Sequence, residues 1–409
     1  MSANATKNLL LVTAGFPYGE SERSFLSIEF SHLCDQFNVS VLALCHNPQL
    51  LYPFEQNVPH EAYAFPPLRS AATLAMLPFL VQKIFRTELR GLSLSAATGA
   101  TAYYLNALHT LPLLRRRVME RNIHIIYTYW CSEITLAALL LRRELPHLKV
   151  VTRFHGVDLY NERRHDGRQP FRTAIADGAD RLIFPCNRAR DYFLQHWGAQ
   201  YAAKSVTAYL GCRSFPRIAA EDKPTVVLVS CSNLIPLKRV DRIIDALALL
   251  PKELSVSWHH IGDGAMRTIL EARAQRTLAA KDNVSWQFHG AVPNHALPEL
   301  YERLAPQLFL TATSTEGGVP VSIQEAASAR IPSVGTDVGG VGELILHRST
   351  GFLLTPDAPA QEIADAISAF CSLSLSQRTA MSEAAFHLWQ TAFDAENNAS
   401  AMCQLLDSL

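Results

Sequence analysis

The most informative residues of this chain are two glutamates and two pairs of glycines whose spacing suits a phosphate-bearing ligand. Within residues 309–345, a short buried strand is expected to precede Glu316 and the glycines 317–318, and a helix carrying Glu325 follows. A second strand leads to the glycines 339–340. Two strand-to-helix turns that open on glycines form a cradle for a pyrophosphate, because the first N–H groups of a helix point at the ligand and its dipole favours negative charge. Since a carboxylate such as Glu325 can hold the two hydroxyls of a ribose, the run predicts a nucleotide site.

The elements around this run alternate between strand-like and helix-like segments along most of the 409 residues. Such alternation predicts parallel sheets covered by helices on both faces, with ligands at the carboxyl ends of the strands. The polar, proline-bracketed segment 213–224 reads as a linker. We therefore predict an α/β protein of two doubly wound, Rossmann-like domains, residues 1–212 and 225–385, facing each other across a cleft.

Composition and charge exclude several classes of protein. The chain has 37 basic and 37 acidic residues, but residues 1–212 hold 22 Lys and Arg against 16 Asp and Glu, and the remainder holds 15 against 21. The eight cysteines are scattered without the spacing of a zinc or redox motif. No secretion signal or long apolar span is recognisable. A cytoplasmic protein that binds no nucleic acid is expected.

Six segments in a fixed order carry a resemblance to one family. They are Glu316–Ala326, Thr336–Glu343, Ser232–Asp241, Ile261–Gly264, His289–Val292 and Thr350–Leu354. The first of them resembles the paired-glutamate signature of the family 4 glycosyltransferases. The resemblance implies the GT-B fold, in which the last helix, here within residues 386–409, returns to the first domain. It also implies a retaining transferase that needs no cofactor beyond its nucleotide-sugar substrate, linked to UDP or GDP.

The same resemblance implies a donor site in the second domain. Glu325 matches the glutamate that holds the ribose, and Lys238 matches the lysine on the pyrophosphate, where a positive charge stabilises the leaving group. Glu316 matches the glutamate on the transferred sugar, although one extra residue separates it from Glu325, so either the turn bulges or Gly317 takes that place. Arg239 is expected to replace an arginine missing at Asn233. The remaining donor-binding candidates are Gly318, Val319, Pro320, Gly290 and Val292.

In the first domain, the segment Arg153–Asp158 resembles the family motif whose histidine, here His155, reaches the donor sugar and the acceptor. His155, Lys238 and Glu316 are therefore the catalytic candidates. Asp158 is expected either to orient His155 or to bind an acceptor hydroxyl. The acceptor-binding candidates are Asp158, Gly15 and Tyr18 in the turn after the first strand, and Trp130, which together with Tyr127 and Tyr129 offers stacking faces for sugar rings or else belongs to the core.

No Asp-x-Asp motif of the metal-dependent glycosyltransferases occurs in the sequence, so we expect no bound metal. The expected reaction is transfer of a sugar to a saccharide or lipid-linked acceptor in bacterial surface polysaccharide or lipopolysaccharide biosynthesis. Two alternatives remain open: a nucleotide-sugar epimerase or phosphorylase of the same fold, and a non-catalytic assembly protein that keeps the fold.

One stretch of the first domain suggests a membrane surface. Residues 68–90 are apolar for their length and end in basic residues, and the arginines 115–117 follow on a later helix. Such a surface could bind an anionic bilayer through apolar area and lipid phosphates, which would place the protein peripherally on the inner face of the cytoplasmic membrane. The alternative is a pair of core-packed helices with solvated ends.

Overall fold

The computed structural model describes residues 6–18, 22–45, 58–65 and 83–409, and the chain forms two compact units. Unit 1 contains Met1–Ala208 and Glu396–Leu409, and unit 2 contains Tyr209–Ala395. Residues 213–224, the predicted linker, include neither a helix nor an extended strand. The chain thus leaves unit 1 once and returns to it with its last helix.

Unit 1 is built on a seven-stranded parallel sheet. Its strands are β1 (Asn8–Thr13), β2 (Asn38–Ala43), β3 (His60–Ala62), β4 (Ile125–Thr128), β5 (Lys149–Arg153), β6 (Arg181–Phe184) and β7 (Ser205–Thr207). The order across the sheet is β3-β2-β1-β4-β5-β6-β7, and each neighbouring pair is parallel. The direction of winding therefore reverses between β1 and β4.

Helices connect these strands. They are α1 (Arg23–Gln36), α2 (Lys83–Leu89), α3 (Leu94–Glu120), α4 (Glu133–Arg142), α5 (Arg172–Gly178) and α6 (Asn187–Trp197). Helix α4 begins with a capping box between Ser132 and Thr135 and is buried along most of its length, as its apolar sequence requires. Most of the apolar stretch predicted between residues 68 and 90 lies outside the described residues, and α2 is its described end.

Unit 2 is built on a six-stranded parallel sheet. Its strands are β8 (Thr225–Cys231), β9 (Ser255–Ile261), β10 (Val284–Phe288), β11 (Leu308–Thr311), β12 (Ser333–Thr336) and β13 (Gly351–Leu354). The order is β10-β9-β8-β11-β12-β13, with all neighbours parallel, so the winding reverses between β8 and β11. Both sheets confirm the predicted fold class of two Rossmann-like domains.

The helices of unit 2 are α7 (Val240–Ala248), α8 (Arg267–Leu278), α9 (Leu297–Leu304), α10 (Val321–Ser328), α11 (Ala360–Cys371) and α12 (Leu375–Ala392). The last helix, α13 (Ala395–Asp407), belongs almost wholly to unit 1. Helix α7 illustrates how the sequence dictates packing. Its residues Val240, Ile243, Ile244 and Leu247 recur at helical spacing and are all buried in the core of unit 2. Among the described residues, no helix is both long and apolar enough to cross a membrane.

Candidate functional site

Most of the predicted donor-binding residues of unit 2 follow the carboxyl ends of β8 and β11, where the strand order reverses. Lys238 follows β8, Glu316 follows β11, and Lys238 Nζ lies 2.5 Å from Glu316 Oε1. The two side chains are 25% and 15% exposed. The fold thus joins two residues that are 78 positions apart in the sequence into one ion pair at the place where parallel sheets bind ligands.

Glu325 lies on α10, which begins after Pro320 in the loop that Glu316 opens. Its carboxylate is buried, and it makes no hydrogen bond or ion pair with any of the residues that the structure describes. Burial raises the pKa of Glu325 to about 8, because no donor compensates the charge. The nearby hydroxyl of Tyr301 is also buried and without a hydrogen-bond partner within the described part of the chain. Within the described part of the chain, neither the Tyr301 hydroxyl nor the Glu325 carboxyl therefore has a hydrogen-bond partner from the protein.

The glycines of the first turn are placed as the sequence predicts, in the loop between β11 and α10. Gly317, Gly318 and Pro320 are half-buried, Val319 is buried, and Gln324 donates from Nε2 to the carbonyl of Val319 at 2.9 Å. This bond fixes the loop against the first turn of α10. The first amides of that helix, at residues 321–323, have no carbonyl within the helix to accept them.

The second glycine pair does not form the predicted strand-to-helix cradle. Beyond β12, the chain enters a three-residue 3-10 turn, Val341–Glu343, instead of an α-helix. Gly340 donates its N–H to the carbonyl of Gly318 at 2.9 Å. A Cβ on Gly339, whose φ is +52°, would lie 2.6 Å from the carbonyl oxygen of Glu316. These glycines allow two loops to touch, so their role is close packing of the first loop.

The other donor-site candidates are more peripheral. Arg239 adopts a left-handed φ of 48° immediately before α7, and its guanidinium lies 3.4 Å from Asp241 and 3.9 Å from Asp357. Asn233 is exposed at the end of β8. Gly290, at φ +73°, accepts the N–H of Gly262 at 2.8 Å just beyond β10, two residues before the half-buried Val292.

Unit 1 has its own cluster at the point where β1 and β4 meet. The buried carboxylate of Glu22 accepts the consecutive backbone N–H groups of Ala14, Gly15 and Phe16 at 3.1, 2.6 and 2.8 Å. It also accepts the indole N–H of Trp130 at 2.6 Å. The amides of the loop after β1 therefore surround a carboxylate that belongs to the chain itself. Sequence reasoning missed Glu22, although an acid shortly after a Gly-Phe-Pro turn was a usable signal.

Two of the acceptor-site candidates belong to this turn. Gly15 accepts the N–H of Tyr18 at 2.6 Å, and the Tyr18 ring is nearly buried, with its centroid 5.9 Å from that of His60. Burial raises the pKa of Tyr18. Gly19, the end of the predicted turn, lies outside the described residues.

The carboxylate of Asp158 accepts three backbone N–H groups of unit 1. One carboxylate oxygen accepts the N–H groups of His155 and Gly156 at 2.8 and 3.0 Å, and the other accepts the N–H of Cys131 at 2.9 Å. Its carbonyl oxygen accepts the buried guanidinium of Arg172 at 2.7 Å. With both oxygens occupied, the contacts favour the orienting alternative over acceptor binding for Asp158.

His155 is held as a neutral imidazole. Its Nε2 lies 2.9 Å from the carbonyl oxygen of Tyr129, and since a carbonyl can only accept, Nε2 carries the proton and Nδ1 is left as an acceptor. Burial, together with the positive charge of Arg153, lowers the pKa of His155 to about 3. The indole ring of Trp130 lies with its centroid 4.1 Å from that of the imidazole. Trp130 and His155 thus form one aromatic pair.

The neighbouring tyrosines are core residues. Tyr127 donates to Glu29 at 2.8 Å and accepts from Arg153 Nε at 2.7 Å, and Arg153 and Glu29 form a buried ion pair at 2.8 Å. Tyr129 is fully buried. The stacking role considered for these two tyrosines is therefore wrong, and the core alternative holds. The available sequence signal for this network was Arg153, a charged residue at the end of a strand that is otherwise largely buried.

The arginines 115–117 are all paired with carboxylates. Arg115 binds Glu144 through two nitrogens, Arg117 contacts Glu61 and Glu120, and Arg116 lies 3.6 Å from Glu61. Their charges are thus partly compensated within unit 1. This pairing weakens the argument that these arginines bind lipid phosphates.

Comparison with known proteins places this architecture in one class. Residues 213–388 match the family model described as "Glycosyl transferases group 1", and residues 95–212 match the model described as "Glycosyltransferase Family 4". The two matches adjoin, and together they cover nearly all of unit 2 and about half of unit 1. The chain belongs to the family 4 glycosyltransferases, as the motif resemblance predicts.

Individual relatives agree with this assignment. A Bacillus subtilis (strain 168) protein named as a teichuronic acid biosynthesis glycosyltransferase is 31% identical over 142 residues, 35% of this chain and 32% of that protein. The alignment thus spans about a third of that relative. A Mycobacterium tuberculosis GDP-mannose-dependent alpha-(1-6)-phosphatidylinositol monomannoside mannosyltransferase is 26% identical over 62% of this chain and 68% of its own. The crystal structure of Anabaena Alr3699/HepE in complex with UDP is 19% identical, covers 99% of this chain and 100% of its own, and superimposes with a TM-score of 0.66, which shows a shared fold.

Proposed function

We propose that this protein is a retaining glycosyltransferase that moves a hexose from a nucleotide diphosphate donor to a saccharide or lipid-linked acceptor. The observation that carries the proposal is the pairing of an uncompensated buried carboxylate, Glu325, with the Lys238–Glu316 ion pair at one sheet edge. A buried acid without donors is costly unless a ligand supplies them. A ribose, which offers two adjacent hydroxyl donors, supplies them.

Each of the three residues has a distinct role in this proposal. The Glu325 carboxylate accepts two hydrogen bonds from the ribose diol, which also returns its pKa toward the ordinary range, since donors favour the charged form. The Lys238 ammonium exchanges its contact with Glu316 for the donor diphosphate. Glu316, released from the lysine, accepts from a hydroxyl of the transferred sugar. Lys238 then stabilises the negative charge that grows on the diphosphate as it leaves.

The chemistry follows from positioning and electrostatics. The bond between the anomeric carbon and the diphosphate oxygen breaks, the acceptor hydroxyl oxygen forms the new bond on the same face, and the leaving diphosphate takes the hydroxyl proton. No protein nucleophile takes part in this route. His155 stays neutral, so its Nδ1 can accept a hydrogen bond from a sugar hydroxyl at any pH near neutrality.

Substrate class and setting are inferred from the relatives. The mycobacterial relative is named as GDP-mannose-dependent, and the Anabaena structure is a complex with UDP, so we propose a UDP- or GDP-linked hexose. A teichuronic acid enzyme and a phosphatidylinositol mannoside enzyme support a bacterial surface glycan or glycolipid as acceptor. Activity in the cytoplasm, with peripheral binding to the inner membrane face, completes the proposal.

Nucleotide binding is the first test. Wild-type protein is unfolded thermally with UDP, GDP or ADP present, followed by UDP-glucose and GDP-mannose. A ligand at a hundred times its dissociation constant adds about 2.7 kcal/mol to the free energy of unfolding, or about 5–10 °C for a unit of this size. The double variant Lys238→Ala, Glu325→Ala should lose this shift, whereas Lys252→Ala, which removes an exposed lysine of the same unit, should keep it.

The nucleotide that stabilises the protein then determines which nucleotide sugars are assayed. Their turnover is monitored as the release of free nucleoside diphosphate. We expect one base to dominate. An absence of stabilisation by all of these nucleotides and nucleotide sugars would contradict the proposal. Stabilisation without any release of nucleoside diphosphate, in the presence or absence of added glycosides, would instead support the non-catalytic assembly protein.

A further inference from the structure

The contacts of Glu22 are unusual for a glutamate at the beginning of a helix. Glu22 directly precedes α1, is 1% exposed, and its two oxygens each accept two N–H groups. Oε1 accepts from Ala14 and Trp130, and Oε2 accepts from Gly15 and Phe16. Successive amides that converge on one point form an anion-binding nest, and here the anion is part of the chain.

The fourth donor makes this nest more than a turn. The indole N–H of Trp130 comes from the loop after β4, and its 2.6 Å contact ties that loop to the loop after β1. A charge-assisted bond of this length restricts the rotation of the indole. The ring that it fixes lies 4.1 Å, centroid to centroid, from the His155 imidazole. Asp158 accepts the backbone N–H of His155, and the Tyr129 carbonyl accepts from the imidazole Nε2.

We propose that Glu22 is a positioning residue for acceptor binding: it holds the loop after β1 and the Trp130 indole so that the Trp130–His155 pair presents a fixed face to the acceptor sugar ring. The inference rests on the proposed transferase function and assigns Glu22 no contact with either substrate. Trp130 is half-buried, and the exposed part of its indole gives that face an apolar surface, which suits the C–H face of a pyranose.

Glu22→Gln is the informative substitution. A glutamine has one oxygen, and in either orientation of its amide two of the four N–H donors face an NH₂ group. Glu22→Asp keeps both oxygens but is one methylene shorter, so it should restore part of the contact. Glu144→Gln is the matched control, because it makes the same change at an exposed carboxylate of unit 1. Trp130→Phe removes the same hydrogen bond from its other end while leaving the nest intact.

The first readout is the indole N–H signal of Trp130 in ¹⁵N-tryptophan-labelled protein. The chain has five tryptophans, and the signal missing from Trp130→Phe identifies Trp130. In the wild type this proton should resonate downfield and exchange slowly with solvent, as expected for a short bond to a carboxylate. In Glu22→Gln it should move upfield and exchange about ten to a hundred times faster, with an intermediate position in Glu22→Asp. An unchanged signal in Glu22→Gln overturns the proposal.

The second readout separates positioning from general stability. With UDP-glucose or GDP-mannose as donor, transfer to the methyl glycosides of glucose, galactose and mannose is compared with donor hydrolysis by water. Glu22→Gln should raise the KM for the glycoside, or lower the ratio of transfer to hydrolysis, about tenfold or more, while hydrolysis stays within about threefold. An equal loss of transfer and hydrolysis, or no loss of either, overturns the positioning role.

The two proposals fail in different ways. If wild-type protein binds and turns over none of the nucleotide sugars, the transferase function fails, whereas the Trp130 signal still decides whether Glu22 holds the indole. If wild type transfers sugar and Trp130→Phe retains the wild-type ratio of transfer to hydrolysis, acceptor binding does not depend on the hydrogen bond between Glu22 and the indole, and the inference is wrong.

Discussion

Both units place acidic residues near the carboxyl ends of their strands, but the hydrogen bonding of these residues differs between the two units. In unit 1, Glu22 accepts four N–H groups and Asp158 accepts three, all from the protein itself. In unit 2, Glu325 is buried without a donor from the described residues. Among those residues, the carboxylate of Glu316 accepts a hydrogen bond only from Lys238. The two acids of unit 1 are thus satisfied by the protein, whereas Glu325 of unit 2 has no donor among the described residues.

This difference shows how the same fold serves two tasks. Carboxylates that already bind backbone amides cannot exchange them for a ligand without losing several hydrogen bonds, so they fix loop geometry. A carboxylate with no donors destabilises the free protein and is relieved when a ligand brings donors. We therefore interpret the edge of unit 1 as a rigid frame for the acceptor and the edge of unit 2 as the exchangeable donor site.

Replacement of Lys238 gives the largest expected effect. Loss of the charged partner of a diphosphate should remove about 2–4 kcal/mol of transition-state stabilisation, so Lys238→Ala should lower kcat/KM by a factor of about thirty to several hundred. The measurement is nucleoside diphosphate release from the preferred nucleotide sugar, with Lys252→Ala as the surface control. A Lys238→Ala enzyme with wild-type kinetics would remove the donor site from this edge.

Chelation of metals should have the smallest effect. Unit 2 offers Lys238 and the α10 N-terminus to the diphosphate, and among the described residues no group of three or more His, Cys, Asp or Glu side chains is arranged to hold a metal. We expect activity after dialysis against EDTA to equal that of untreated enzyme. Loss of turnover that Mg²⁺ or Mn²⁺ restores, with Ca²⁺ as the control ion, would show that the diphosphate requires a cation.

The fold was accessible from the sequence because parallel sheets leave a strong local pattern. Apolar strands such as β1 and amphipathic helices such as α7 can be predicted from the pattern of their apolar residues. The alternation of the two kinds of element then determines the doubly wound class. The family resemblance and the family models agree on the family of the chain.

The sites were less accessible, because a sequence does not show which polar groups satisfy one another. Glu325 and Lys238 could be singled out by motif, but their difference in pairing appears only in three dimensions. Gly339 and Gly340 were expected to open a helix, although their backbone packs on the Glu316 loop. Glu22 was not predicted, because its hydrogen-bond partners, residues 14–16 and Trp130, are distant from each other in the sequence. They come together because β1 and β4 are neighbours in the sheet.

The pKa of Glu325 links this comparison to stability. A carboxyl whose pKa is about 8 in the folded protein and about 4.5 when unfolded binds its proton more tightly in the folded state. Its contribution to stability is thus fully present below pH 4.5 and is lost as the pH rises through 8. Above pH 8 the cost to the ligand-free protein is about 5 kcal/mol, an upper bound on what a neutral replacement can recover.

The most direct test of this difference between the two units is thermal unfolding of Glu325→Gln and Glu22→Gln, without ligand, at pH 5 and pH 8.5. The unfolding temperature of Glu325→Gln relative to wild type should rise from pH 5 to pH 8.5. At pH 8.5 the variant should unfold several °C above wild type, because the glutamine side chain cannot ionise. Glu22→Gln should be less stable than wild type at pH 8.5 by about 2–3 kcal/mol, because two N–H donors lose their acceptors. Shifts of the same sign at pH 8.5, or a Glu325→Gln difference independent of pH, would contradict the account.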